Sequence, residues 1–172
     1  MQEHGQGDAS VLTRLFAHNT WANLKLLDFC AGLADDQLDT TAIGGFGSIR
    51  DTLQHIVSAE VSYVERVNGR LPMQDQAADF EGLKSAVRWV GDELLQLALS
   101  ARADTIVRQR PPRPPYEYTL ASLIAQSLSH SIEHRTQIAT IITQLGLEPP
   151  DMSGWQYMED VGELREFGTG EA

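Results

Sequence analysis

His130 and His134 are the pair whose type and spacing point most directly to chemistry. They lie four residues apart in a segment with helical apolar periodicity, so both rings leave one face of a helix about one turn apart. Two imidazoles placed this way can reach one metal ion. On a helical wheel His134 points into the core and His130 toward its edge, with Ser127 and Ser131 on the same face. Buried imidazoles need partners, and two core histidines satisfied by neighbouring carbonyls fit this pattern as well as two metal ligands do. The zinc-protease version of such a pair needs a glutamate directly after the first histidine. Ser131 stands there and Glu133 lies elsewhere on the wheel, so that mechanism lacks its base.

A tight site needs a third ligand from another helix, and His55 is the candidate. It sits off the apolar stripe of its own helix, but Thr52, Ala59 and Ser62 make a small-residue flank where another helix can approach. His18 is a poorer candidate, also off its stripe, and His4 lies in a polar tail. Glu60 falls in the middle of an apolar stripe, where a carboxylate is expensive to bury unless it is paired or ligating. Three roles suit it: fourth ligand, support for a histidine, or ion-pair partner of Arg135. Asn19 and Asn23 lie on the stripe of the first helix, as a polar wall or as bridges between helices. Cys30 lies on that stripe too, has no partner cysteine, and reads as an inert buried thiol. Gly44-Gly45-Phe46-Gly47 lacks the Lys-Ser/Thr of a phosphate loop and reads as a turn.

Four amphipathic helices must position these residues. The spacing predicts a first helix over 9–32, from the stripe through Leu12, Phe16, Leu26, Leu27 and Cys30. Ser48 is the expected N-cap of a second helix, with Asp51 as its capping-box partner and Asn68-Gly69 as its stop. A third helix opens at Asp79 or Phe80. Arg110 to Pro115 reads Arg-Pro-Pro-Arg-Pro-Pro, which cannot be helical and is expected to run extended as a crossover within the domain. Thr119 caps the fourth helix, which Gly146 ends before Pro149-Pro150. A small helix is expected near 156–166. No alternating run is long enough to demand a sheet. Residues 1–8 read as a flexible tail and 9–172 as one domain: an all-α four-helix bundle, with links long enough for crossovers and parallel neighbours.

Composition narrows the functional classes. The 172 residues are 42% hydrophobic and 22% charged, as in a globular domain with a real core. Thirteen Lys+Arg against 24 Asp+Glu leave a formal charge of −11, which repels phosphate backbones and anionic lipid, so neither nucleic acid nor membrane is an expected partner. Met1 to Ser10 carries no apolar export segment, and one cysteine fits a reducing compartment, so a cytoplasmic location is expected. Trp21 lies opposite the apolar stripe of the first helix and calls for cover by a loop or a partner; a homodimer involving that helix is expected.

Three segments carry a family resemblance. His18-Asn19-Thr20-Trp21-Ala22-Asn23 is similar to a Tyr-Asn-x-Trp-Ala-Asn signature, with His in place of Tyr. Leu53-Gln54-His55-Ile56, followed by Ala59-Glu60, resembles a second-helix histidine segment. His130-Ser131-Ile132-Glu133-His134-Arg135-Thr136-Gln137 resembles a His-x-x-x-His-Arg-x-Gln segment. In this order they resemble the DinB-like superfamily of damage-inducible, metal-binding four-helix bundles. The resemblance implies an up-up-down-down bundle and one divalent ion on His55, His130 and His134, and it is this resemblance that singles out His55. Relatives that are thiol-dependent transferases imply a low-molecular-weight thiol as co-substrate, with Glu60 and Arg135 in support. Three neutral imidazoles suit Zn, Ni, Co or Fe and leave coordination positions open, as at catalytic sites. Two functions are compatible with these residues: a metal-dependent thiol transferase or small-substrate hydrolase and, alternatively, a non-catalytic metal- or ligand-binding stress protein. Asp151 and Trp155 to Met158 are expected to close one end of the pocket.

Overall fold

The computed structural model describes residues 11–68, 79–100, 102, 104–109, 111 and 114–165. The expected tail, His4 and the Gly69 stop lie outside the described residues, as do Arg110, Pro112 and Arg113 of the proline-rich run. The elements in chain order are α1 (Val11–Cys30), α2 (Asp35–Leu38), α3 (Ile49–Asn68), α4 (Phe80–Ser100), β1 (Ile106–Arg108), β2 (Glu117–Thr119), α5 (Leu120–Gln144) and α6 (Gly154–Asp160). Among the described residues no helix is long and apolar enough to cross a membrane.

Local signals set the helix ends. At the start of α3, the Asp51 amide donates to Ser48 Oγ at 3.1 Å and the Ser48 amide donates to Asp51 Oδ2 at 3.2 Å, a reciprocal capping box. Thr119 Oγ1 accepts from the Ser122 amide at the start of α5. Gly146 takes φ 77° beyond its end, and the Leu147 amide bonds back to the Ile142 carbonyl. That left-handed stop favours glycine, which has no Cβ to clash. The last helix sits earlier than expected because Ser153 caps it and Gly162, at φ 71°, follows it.

Two apolar layers fill the bundle. The first joins Leu26, Leu27 and Cys30 of α1 to Ile49, Leu53 and Ile56 of α3, Leu83 and Val87 of α4, and Ile138, Ile141 and Ile142 of α5. The second joins Phe16 of α1 to Tyr63 and Val64 of α3, Val90 and Leu94 of α4, and Leu120, Leu123 and Ile124 of α5. The first layer thus takes the end of α1, the starts of α3 and α4, and the end of α5. The helices therefore run up-down-down-up, with α1 parallel to α5 and α3 parallel to α4. This corrects the expected up-up-down-down order: the consecutive parallel pair is α3 and α4, while α1 to α3 and α4 to α5 join antiparallel helices. Periodicity within a helix reports its buried face but not its direction, which the crossovers set.

A two-stranded hairpin is the feature that periodicity does not reveal. β1 and β2 pair antiparallel with Val107 opposite Tyr118, and Val107 is buried in the second layer. Three-residue strands hold too few alternations to register as a pattern. Trp21 finds cover within the chain. Its ring lies 5.4 Å from that of Tyr157 on α6 and 5.6 Å from that of His18, with Lys25 Nζ 4.6 Å above it.

Candidate metal centre

Between the two apolar layers lies a belt of buried polar side chains. Asn19 and Asn23 come from α1, Glu60 from α3, and Ser131 and Arg135 from α5. Glu60, 1% exposed, accepts through Oε1 from Asn19 Nδ2 at 2.7 Å, Asn23 Nδ2 at 3.1 Å and Ser131 Oγ at 2.7 Å. The other ends of the two amides, Asn19 Oδ1 and Asn23 Oδ1, accept from Arg135 Nη1 at 2.8 and 2.6 Å. The Glu60 carboxylate and the Arg135 guanidinium thus face each other through two oriented amides. Of the three roles open to Glu60, direct pairing with Arg135 becomes this relayed pairing. Burial pushes the Glu60 carboxyl up, opposed by Ser131, Asn19, the Arg135 charge and Asn23. Burial brings Arg135 down to about 10, with Glu60 pulling the other way, so it is a cation at neutral pH.

The belt ties α1, α3 and α5 together beside the histidines, since Ser131 follows His130 and Arg135 follows His134 in sequence. His55 on α3 meets His130 and His134 on α5, and their candidate ligand nitrogens lie within 4.8 Å of one another. At a tetrahedral ion with bonds of about 2.0–2.1 Å the ligand nitrogens lie about 3.3 Å apart, so the three rings would have to turn inward to share one ion. Glu60 is not in this group. His55 is reached although it sits off its apolar stripe, because the arc of α3 covered by neighbours is wider than the stripe. The Phe46 ring stacks on it at 3.8 Å between centroids.

Hydrogen bonding assigns one tautomer. His134 Nδ1 lies 2.9 Å from Gln137 Oε1, and the Phe46 amide donates to that same oxygen at 3.2 Å. A backbone N–H requires an acceptor, so the shared atom is the amide oxygen and His134 Nδ1 carries the proton. The Nε2 lone pair of His134 is then left for a ligand. His130 Nε2 lies 3.0 Å from His55 Nε2, while His130 Nδ1 is buried without a partner. Burial, followed by the neighbouring His134 and His55, lowers the His130 pKa to about 4, so its imidazole is neutral at pH 7. Three converging ring nitrogens and an orphaned buried one fit a bound cation better than a self-contained hydrogen-bond cluster.

The other sequence candidates lie elsewhere. His18 Nε2 bonds the Met152 carbonyl at 2.9 Å and its ring meets Tyr157. It anchors the segment leading into α6, the helix that packs along α1. Asp151 lies in that segment and Trp155 to Met158 in α6 itself, where Tyr157 packs on His18 and Trp21 of α1 and not on the three histidines, so the expected closure of the pocket is not what this segment provides. Cys30 is fully buried and burial pushes its thiol up to about 12, so it holds its proton. The sequence reading gave no role to Phe46 or Gln137. Gln137 could have been found from its three-residue step after His134. An aromatic residue set among three glycines was the signal for Phe46.

The DinB family model matches residues 1–165. The chain belongs to the DinB family. It is 25% identical over 149 residues to the uncharacterized protein YizA of Bacillus subtilis strain 168, covering 83% of this chain and 92% of that protein. Its fold is that of a DinB-like protein from Bacillus cereus ATCC 10987 known from a crystal structure, with a TM-score of 0.57 at 19% identity, over 81% of this chain and 94% of that one. For this DinB-family chain, Gln137→Ala is expected to weaken divalent-metal affinity about 10–100-fold, the usual effect of removing an orienting partner of a ligating histidine. Competition with a chromogenic chelator measures it, and an unchanged affinity would show that Gln137 does not orient His134.

Proposed function

We propose that the protein is a metal-dependent enzyme that joins a low-molecular-weight thiol to an electrophilic small molecule, or hydrolyses a small substrate. His55, His130 and His134 would hold one divalent ion of the Zn, Ni, Co or Fe type. The observation that carries this reading is the donor set: three imidazoles converge with no carboxylate or thiolate among them. Such a set leaves the ion its full charge and open positions. When bound, the ion acidifies a thiol or water that coordinates it.

The chain's own residues do the rest. Gln137 holds His134 with Nε2 presented, and the Glu60–Arg135 belt holds α3 and α5 in register. The nucleophile comes from outside, because Cys30 is buried and protonated at neutral pH. In the transfer reaction the thiolate sulfur bonds the electrophilic carbon as the leaving group departs. A cytoplasmic location and a homodimer belong to the same proposal. The lone reduced cysteine supports the first, and the exposed Val11, Leu12 and Leu15 on α1 support the second.

Thiol-dependent consumption of an activated aryl halide tests the proposal. Turnover is expected to vanish with a chelator and return with added Zn²⁺, Ni²⁺, Co²⁺ or Fe²⁺. Cys30→Ser stays active and His55→Ala does not. Loss of activity in Cys30→Ser with metal bound and helicity intact would overturn the mechanism. Failure of every thiol and hydrolysable ester tried, with metal still bound, favours the non-catalytic binding protein.

A further inference from the structure

The turn between α2 and α3 carries two large apolar side chains that the core does not absorb. Phe46 is 53% exposed and Ile43 is fully exposed. Two rings inside the core layers, Phe16 and Tyr63, are 1% and 7% exposed, and Phe46 packs against neither layer. The exposure is not slack in the chain, because the turn is pinned at several points. The Ile49 amide bonds the Thr40 carbonyl at 3.2 Å, the Gly45 amide bonds the Ala42 carbonyl at 3.1 Å, and Ser48 is locked to Asp51. Gly44 takes φ 81°, a conformation that favours glycine, and a Cβ on Gly47 would press on Asp51 Cβ at 3.1 Å.

This pinned turn holds Phe46 against the histidines. Its face lies on His55 at 3.8 Å and 16°, its edge approaches His134 at 5.3 Å, and its amide rests on the Gln137 oxygen that also receives His134 Nδ1. On the far side, Tyr63 meets His130 edge-on at 5.9 Å. The histidine cluster is thus flanked by aromatic carbon. Arg135, the cation next to His134 in sequence, is turned away to Asn19 and Asn23.

We propose that Phe46 is the specificity-determining wall of the metal centre, and that the organic body it selects is flat, apolar and without negative charge. The inference rests on the metal-centre reading above. A substrate bound by its polar head at the histidines lays its body against the exposed part of Phe46, covering a ring that water otherwise wets.

The test is binding rather than turnover. The full chain loaded with Zn²⁺ is titrated calorimetrically with benzohydroxamic and acetohydroxamic acid, which share a metal-binding head and differ in phenyl against methyl. The phenyl compound is expected to bind about 10-fold or more tightly, the scale on which an apolar contact discriminates. Phe46→Ser brings the ratio to about 2-fold or less and Phe46→Leu leaves it in between, with Zn²⁺ stoichiometry unchanged in both. No phenyl preference in the wild type, or a full preference in Phe46→Ser, overturns the inference. So does loss of Zn²⁺ from Phe46→Ser, which would make Phe46 a cover for the ligands. If the wild type binds no divalent ion, the metal-centre reading itself fails and this inference with it.

Discussion

Arg135→Ala is expected to lower the unfolding free energy by about 3–5 kcal/mol, the scale of removing one partner from a buried charge pair. The substitution strands Glu60 in the core and leaves Asn19 Oδ1 and Asn23 Oδ1 without the guanidinium that both accept from. Glu60→Gln keeps the shape and removes the charge, so it should cost less, about 1–3 kcal/mol, through weaker acceptance from Ser131 and the two asparagines. Urea unfolding in the presence of a chelator measures both without a contribution from metal. The double variant Glu60→Leu/Arg135→Met should fall short of the sum of its single variants, because no uncompensated charge remains. Strict additivity, or a loss below about 1 kcal/mol for Arg135→Ala, would show that the belt does not couple the two charges.

His130→Ala and His134→Ala should each abolish stoichiometric binding of a divalent ion while leaving helical circular dichroism in place. Two remaining imidazoles do not close a site of this kind, and neither ring fills a core layer whose loss would unfold the bundle. Equilibrium dialysis with metal analysis decides it, and full occupancy in either variant removes the site. The metal-free protein adds a pH signature. The folded-state pKa of His130 is lowered to about 4 from 6.5, so the unfolded chain binds more protons in that window. The contribution is fully present above about pH 6.5 and is lost as pH falls toward 4. In His130→Ala this part of the slope should flatten. An unchanged slope would mean that the His130 ring is not desolvated in the folded state.

Much of this protein is legible along the chain because the deciding interactions span one helical turn. Ser48 with Asp51, Thr119 with Ser122 and the stop at Gly146 are three- to five-residue contacts, and the chain order alone supplies both partners. The same holds for His130 and His134, which helical geometry places on one face in any fold that keeps the helix. The apolar stripe of α1 likewise marks Phe16, Leu26, Leu27 and Cys30 as core whatever packs against them. His55 is different. Its own stripe argues against burial, and it joins the site because α5 and the Phe46 turn both close over that flank of α3. Glu60 can be flagged from sequence as a carboxylate in an apolar stripe, but its answer lies 41, 37, 71 and 75 residues away, at Asn19, Asn23, Ser131 and Arg135. Helix direction and the β1–β2 hairpin have the same origin, since crossovers and three-residue pairings leave almost no periodic trace. Periodicity records how each segment divides core from solvent. The convergence of three histidines depends on which covered arcs of different helices come to face each other, and that is a property of the packed bundle.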